Sequence, residues 1–143
     1  MKGAKPRLVI DNDAVTGAPA APGWLSKDAK AEWRRVMPGL VQRRILTRAD
    51  LGSLENYCIC IGIVREAERH LQKHGHVFES FKDTDDGLVS LGMKRNPASL
   101  VLKDAIAASR QLAAELGLTP VSRSRPAVRE AGDDSDDLSP LDL

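Results

Sequence analysis

The sequence predicts a mainly α-helical fold, with short N-terminal helices followed by two long antiparallel helices joined by a small β-hairpin. Three observations carry this expectation. Apolar residues recur at helical spacing in three separate stretches, each opened or closed by a capping residue. The segment between the second and third stretch loses that period and holds a turn sequence, Lys82-Asp83-Thr84-Asp85-Asp86-Gly87. Two long striped helices separated by such an excursion must lie side by side to bury their stripes.

Residues 1–21 mix Lys, Pro, Asp, Gly and Ala without periodicity and read as a disordered basic arm. Structure begins at Pro22-Gly23-Trp24-Leu25-Ser26, where Ser26 suits an N-cap and Trp24 and Leu25 can staple onto the following turns. Ala29, Trp33, Val36, Met37, Leu40 and Val41 then form one helical face. Pro38 falls inside this pattern. Its ring and missing N–H should end the first helix near Met37 and start a short second one, or kink a single one.

Thr47-Arg48-Ala49-Asp50 resembles a capping box with Asp in place of Glu, and the helix it opens should run to His74, stopped by Gly75, over about 40 Å. Leu51, Leu54, Cys58 and Ile61 form a seam continued by Tyr57, Val64, Ala67 and Leu71. That face is wider than one partner helix covers. His76–Phe81 and Leu88–Leu91 are the expected hairpin strands. Asn96 and Pro97 then open the second long helix, whose stripe is Val101, Leu102, Ala105, Ile106, Leu112, Ala113 and Leu116. Gly117 is placed for a left-handed C-cap, and Thr119-Pro120 for a short capped turn carrying Arg123 and Arg125. The helical domain is therefore expected over residues 22–125. Residues 126–143, with five Asp and no base after Arg129, read as a disordered acidic tail.

The formal net charge of +1 gives no global field that would identify a partner, but the charge is unevenly placed. Residues 1–50 carry ten Lys or Arg against five acids, whereas residues 101–143 carry five against eight. No apolar run approaches the roughly 20 residues that span a bilayer. The N-terminus lacks the apolar stretch of a signal peptide, and Cys58 and Cys60, two apart on a helix, point away from each other. A cytoplasmic protein with unbridged thiols is expected.

Tests for chemistry come out empty. Gly87-Leu-Val-Ser-Leu-Gly92-Met-Lys94 nearly matches a phosphate loop, but the lysine comes one residue late and Arg-Asn-Pro follows where Ser or Thr would hold magnesium. His70 and His74 have a ligand spacing without the glutamate that would make a zinc-protease motif. No Ser or Cys has an evident base beside it. No catalytic residue, metal or cofactor is expected.

The ordered set Pro22-Gly23-Trp24-Leu25-Ser26, Ala29-x-x-x-Trp33, Leu46-Thr47-x-x-Asp50, Tyr57, Asn96-Pro97 and Gly117-Leu118-Thr119-Pro120-x-Ser122-Arg123 resembles the small-subunit terminases of tailed phages. The resemblance implies a non-enzymatic subunit that binds double-stranded viral DNA in the host cytoplasm and assembles into a homo-oligomeric ring. It also implies that the subunit recruits and regulates a large subunit, which holds the ATPase and nuclease, to start genome packaging. Charge placement, rather than a family motif, nominates the DNA-contacting residues. They are Lys27, Lys30, Arg34 and Arg35 on the first helical face, Arg43 and Arg44 beyond it, and Lys2, Lys5 and Arg7 on the arm. The wide stripe nominates Leu51, Leu54, Tyr57, Ile61, Val64 and Leu71 for the oligomer interface. Two other readings fit the pattern less well: a helical transcription regulator using residues 26–50 as a helix-turn-helix, and an enzyme accessory scaffold that touches no nucleic acid.

Overall fold

The computed structural model describes residues 13–124. Helix α1 spans Lys27–Gln42 and is followed by a 3-10 turn, Arg48–Asp50, that leads directly into α2, Leu51–His74. Strands β1, Val77–Thr84, and β2, Gly87–Arg95, form the hairpin; α3, Ala98–Glu115, and the one-turn α4, Pro120–Arg123, are the remaining elements of the described residues.

The local signals explain most of these boundaries. Ser26 Oγ accepts the Ala29 amide at 3.2 Å and opens α1. The Asp50 carboxylate accepts both the Thr47 amide, at 2.9 Å, and the Thr47 hydroxyl, at 2.8 Å, fixing the turn before α2. Gly75 ends α2 at φ 83°, a backbone conformation that glycine adopts without strain. Buried Asn96 ties the two long helices together. Its Oδ1 accepts the Ala98 amide at 3.0 Å, while its Nδ2 donates to the Gly75 carbonyl at 2.9 Å. At the far end of α3, the Leu118 amide reaches the Ala113 carbonyl and the Gly117 amide reaches that of Ala114, the paired bonds of a Schellman cap with Gly117 at φ 73°.

α1 is one helix of 16 residues, which corrects the expected short N-terminal helices and leaves, of the two outcomes expected at Pro38, the single helix. Pro38 lies on the exposed side, four residues after exposed Arg34, so the carbonyl that loses its partner there is on the side that water reaches. The hairpin is also longer than the sequence indicated. Its ladder runs from Val77↔Arg95 to Thr84↔Gly87, so the turn narrows to Asp85-Asp86, and a bulge interrupts the register between Ser80 and Phe81.

Residues 13–21, part of the stretch read above as an arm, lie against the helices. The Val15 amide donates to the Leu46 carbonyl at 2.8 Å, and Trp33 Nε1 donates to the Pro19 carbonyl at 2.9 Å. The core gathers Ala29, Trp33, Val36, Met37 and Leu40 from α1, Leu54, Tyr57 and Cys58 from α2, and Leu25, Leu46 and Leu116. α2 and α3 run antiparallel: Asn96, just before α3, bonds to Gly75 at the end of α2, and Leu116, just after α3, lies in the cluster that holds Leu54 near the start of α2. Gly62 allows α1 and α2 to approach closely; a Cβ there would lie 3.0 Å from Ser26 Oγ and 3.3 Å from the Ala29 amide nitrogen.

Candidate nucleic-acid interface

The outer face of α1 is cationic. Lys27, Lys30 and Arg34 follow one another at helical spacings of three and four, so their side chains share a stripe. Lys27 and Arg34 are exposed and Lys30 is half-buried. Lys30 and Arg34 also border a cleft of about 390 Å³, floored by Trp33, Met37 and Pro38 and walled by residues 18–21. The arrangement offers point charges along one line, as a phosphate backbone requires.

Arg35 stands beside the stripe but is held from below. Glu32, 1% exposed in the middle of the helix, accepts its guanidinium through both carboxylate oxygens. The same carboxylate accepts the Tyr57 hydroxyl at 2.8 Å and an Arg65 guanidinium nitrogen at 3.0 Å, both from α2. Asp28 and Arg69 add a second, exposed ion pair between the helices. Burial alone would raise the Glu32 carboxyl, but hydrogen bonds from Arg35 and Tyr57 and the charges of Arg35 and Arg65 hold it below its ordinary value. The Tyr57 hydroxyl is pushed up to about 12, first by burial and then by donating to that carboxylate. The clamp fixes α1 on α2 and leaves the outer part of the Arg35 side chain, 65% exposed, facing water.

The other nominated cations fall elsewhere. Arg43 caps helices: its Nε donates to the Gly39 carbonyl at 3.2 Å and an Nη to the Gly117 carbonyl at 2.8 Å. Arg44 is exposed at φ 53°, just after the end of α1. Arg123 is exposed on α4. Lys2, Lys5, Arg7 and Arg125 lie outside the described residues.

The nominated oligomer stripe is divided by the chain's own packing. Leu54, Tyr57 and Leu71 are buried inside the chain, and half-buried Leu51 and Ile61 pack on its core. Val64 is half-buried. The sequence pattern missed where apolar surface stays open: Leu100, Val101 and Ile106 on α3, and much of the hairpin. It missed Glu32 as well, although an acid between Ala29 and Trp33 inside an apolar stripe was a readable signal of a tertiary partner.

Among the described residues, no group of three or more His, Cys, Asp or Glu side chains is arranged to hold a metal, and no helix is long and apolar enough to cross a membrane. The Gly87–Lys94 stretch that nearly matched a phosphate loop is strand β2, so it is not a loop leading into a helix N-terminus. The Cys58 thiol is buried and pushed up to about 12 by that burial, far from a reactive thiolate.

The described residues thus define a small helical module with a cationic outer helix and a protruding hairpin. Residues 29–133 match the family model described as phage terminase, small subunit, and the chain belongs to that family. No curated protein matches, and no solved structure does. Membership supports a role in phage genome packaging.

Proposed function

We propose that this chain is the DNA-recognising small subunit of a phage terminase, which self-associates on viral DNA and recruits and regulates the large subunit that carries ATPase and nuclease activity. The family match over residues 29–133 is the observation that carries the reading. The cationic stripe of Lys27, Lys30 and Arg34 supports its DNA-binding part, because it is the cationic row on the outer face of α1 that does not double as a cap or clamp. The chain contributes no turnover of its own. One subunit offers few phosphate contacts, and self-association would repeat the stripe and raise its effective concentration along DNA.

The helix-turn-helix reading places base recognition on the helix that follows residues 26–50. Leu54, Tyr57 and Cys58 on that helix are core residues, which favours the packaging reading. The test is a fluorescence-anisotropy titration of duplex DNA over a range of salt concentrations. Replacing Lys27 and Arg34 by Ala should weaken binding and reduce the salt slope by about 0.9 for each lost phosphate contact. Replacing Arg123, close before the acidic tail, should change little. Unchanged affinity and slope in the α1 variant would refute this placement of the DNA surface.

A further inference from the structure

The cleft beside α1 joins two kinds of surface. Trp33, Met37 and Pro38 give it an apolar floor, and Lys30 and Arg34 stand on its rim about one helical turn apart. Neither of these two cations forms an ion pair among the described residues, whereas Arg35, Arg65 and Arg69 are held by Glu32 or Asp28 and Arg43 by backbone carbonyls. Phosphates suit the rim but not the floor, where a charged group loses water and gains no partner. An occupant that fits both carries acids directly beside apolar side chains. At about 390 Å³ the cleft takes a few side chains of a peptide, not a folded domain.

The chain itself carries such a segment. Asp133, Asp134, Asp136 and Asp137 fall within five residues, and Leu138 and Leu141 follow at once. The segment lies beyond Ser124, the last described residue. Its tether starts close to α1. Ser124 follows α4, one short helix after Gly117, and the Gly117 carbonyl is bonded to Arg43 just past the end of α1. From Arg43 to Arg34 is nine residues back along the helix, about 14 Å. Asp133 is nine residues past Ser124, a reach of up to about 30 Å, and Asp137 is thirteen, up to about 43 Å. A tether this short holds the segment near the cleft at an effective concentration on the order of millimolar.

We infer that residues 133–141 dock on α1 of their own chain when DNA is absent, with the aspartates on Lys30 and Arg34 and the leucines in the cleft, and that DNA must displace them. Docked, the segment stands where phosphates would lie, so the chain binds DNA more weakly than its cationic row alone would. Salt weakens the aspartate contacts as it weakens those to phosphate, while the leucine contacts persist. The inference rests on the placement of DNA along α1 proposed above and adds a regulation of that surface. Plain repulsion between the aspartates and DNA would need no docking. The leucines separate the two explanations, because they carry no charge and matter only if the segment is seated in the cleft.

The test uses the full chain in three altered forms: the four aspartates replaced by Asn, Leu138→Ser with Leu141→Ser, and Lys27→Ala with Arg34→Ala. Circular dichroism checks that each keeps the helical fold. Duplex DNA affinity is read by fluorescence anisotropy. A water-soluble carbodiimide, which joins a carboxylate to a lysine amine in direct contact, reports docking without DNA, with mass spectrometry locating the link. An effective concentration on the order of millimolar against an intrinsic Kd on the order of 0.1 mM masks the row about tenfold, so both tail variants should bind duplex about tenfold more tightly. The unaltered chain should link Lys30 to the Asp133–Asp137 run, and the link should fall away in the leucine variant and on adding duplex. Tighter binding by the aspartate variant with no change in the leucine variant would leave only repulsion and overturn the inference, as would unchanged affinity in both. If no link forms while the Lys27/Arg34 variant loses affinity for DNA, the docking is wrong and the DNA surface stands. If the link forms while that variant binds DNA as well as the unaltered chain, the segment docks as inferred and the DNA surface is misplaced.

Discussion

Glu32 gives the sharpest physical prediction. Its carboxylate is 1% exposed, and three groups satisfy it: Arg35, Arg65 and the Tyr57 hydroxyl. The arginines differ from the carboxylate in being part-solvated, with side chains 65% and 37% exposed. The two sides of the clamp should therefore respond unequally. Glu32→Gln lets both arginines return to water and leaves an amide oxygen for Tyr57, so its cost should be about 1 kcal/mol. Tyr57→Phe removes one bond to a charged acceptor that keeps both arginines, about 1.5 kcal/mol. Replacing Arg35 and Arg65 together by Ala strands the carboxylate in the core. Losing the partners of a buried charge costs about 3–5 kcal/mol, and the low end applies here because the truncated arginines admit water. The sign of the pH dependence follows from the lowered Glu32 carboxyl. Stability from the clamp is present above the ordinary glutamate value of 4.5 and is lost as pH falls through the lower folded value, because the native carboxylate must then take up a proton. The deficit of the double-arginine variant should accordingly shrink in acid. Urea unfolding followed by circular dichroism, at one fixed protein concentration near neutral pH and again in acid, measures both quantities. A double-arginine variant that loses less than Tyr57→Phe, or loses the same at both pH values, would refute a charged carboxylate in this core.

Three further outcomes follow from the packing. Gly117→Ala must hold φ 73° with a Cβ that would lie 2.8 Å from Ile45 Cδ1, so it should destabilise by about 1–2 kcal/mol or more, read as a lower urea midpoint. Asn96→Ala removes the acceptor for Ala98 and the donor to Gly75, and should cost about 1–2 kcal/mol and increase amide exchange at the start of α3. Under native conditions a thiol reagent should modify half-buried Cys60 before buried Cys58, and equal rates would show that the α2 core opens.

What the sequence revealed was mostly local. Ser26, Gly75 and Gly117 act within one turn of their own helix, as does Asn96 toward Ala98, so these roles can be read from neighbours in the chain, whereas the Asn96 bond to the Gly75 carbonyl, 21 residues away, could not. Pro38 could not be resolved that way, because whether a proline breaks a helix depends on which side of it water occupies. The hairpin's true length was hidden for a related reason: both faces are exposed, so little burial contrast marks where the strands end. Arg43 looked like a surface cation, and only the fold brings it to the Gly117 carbonyl, 74 residues away. The apolar stripe of α2 was visible in full, yet a stripe does not say which chain covers it. Leu54, Tyr57 and Leu71 are covered from within, while the exposed apolar residues of β1, β2 and α3 are not. The cationic row on α1 was legible residue by residue; the clamp beneath Arg35 required knowing that α2 returns alongside.

The proposed action of this chain on a large terminase subunit through DNA is tested most directly by ATP turnover of the cognate large subunit. Turnover is followed with duplex DNA, with this chain, and with both together. The expected result is no turnover by the chain alone and a change in large-subunit turnover when chain and DNA are present together, a change that is reduced when Lys27 and Arg34 are replaced by Ala. Large-subunit turnover that is the same with and without the chain, at protein concentrations where the chain is self-associated and bound to DNA, would contradict it.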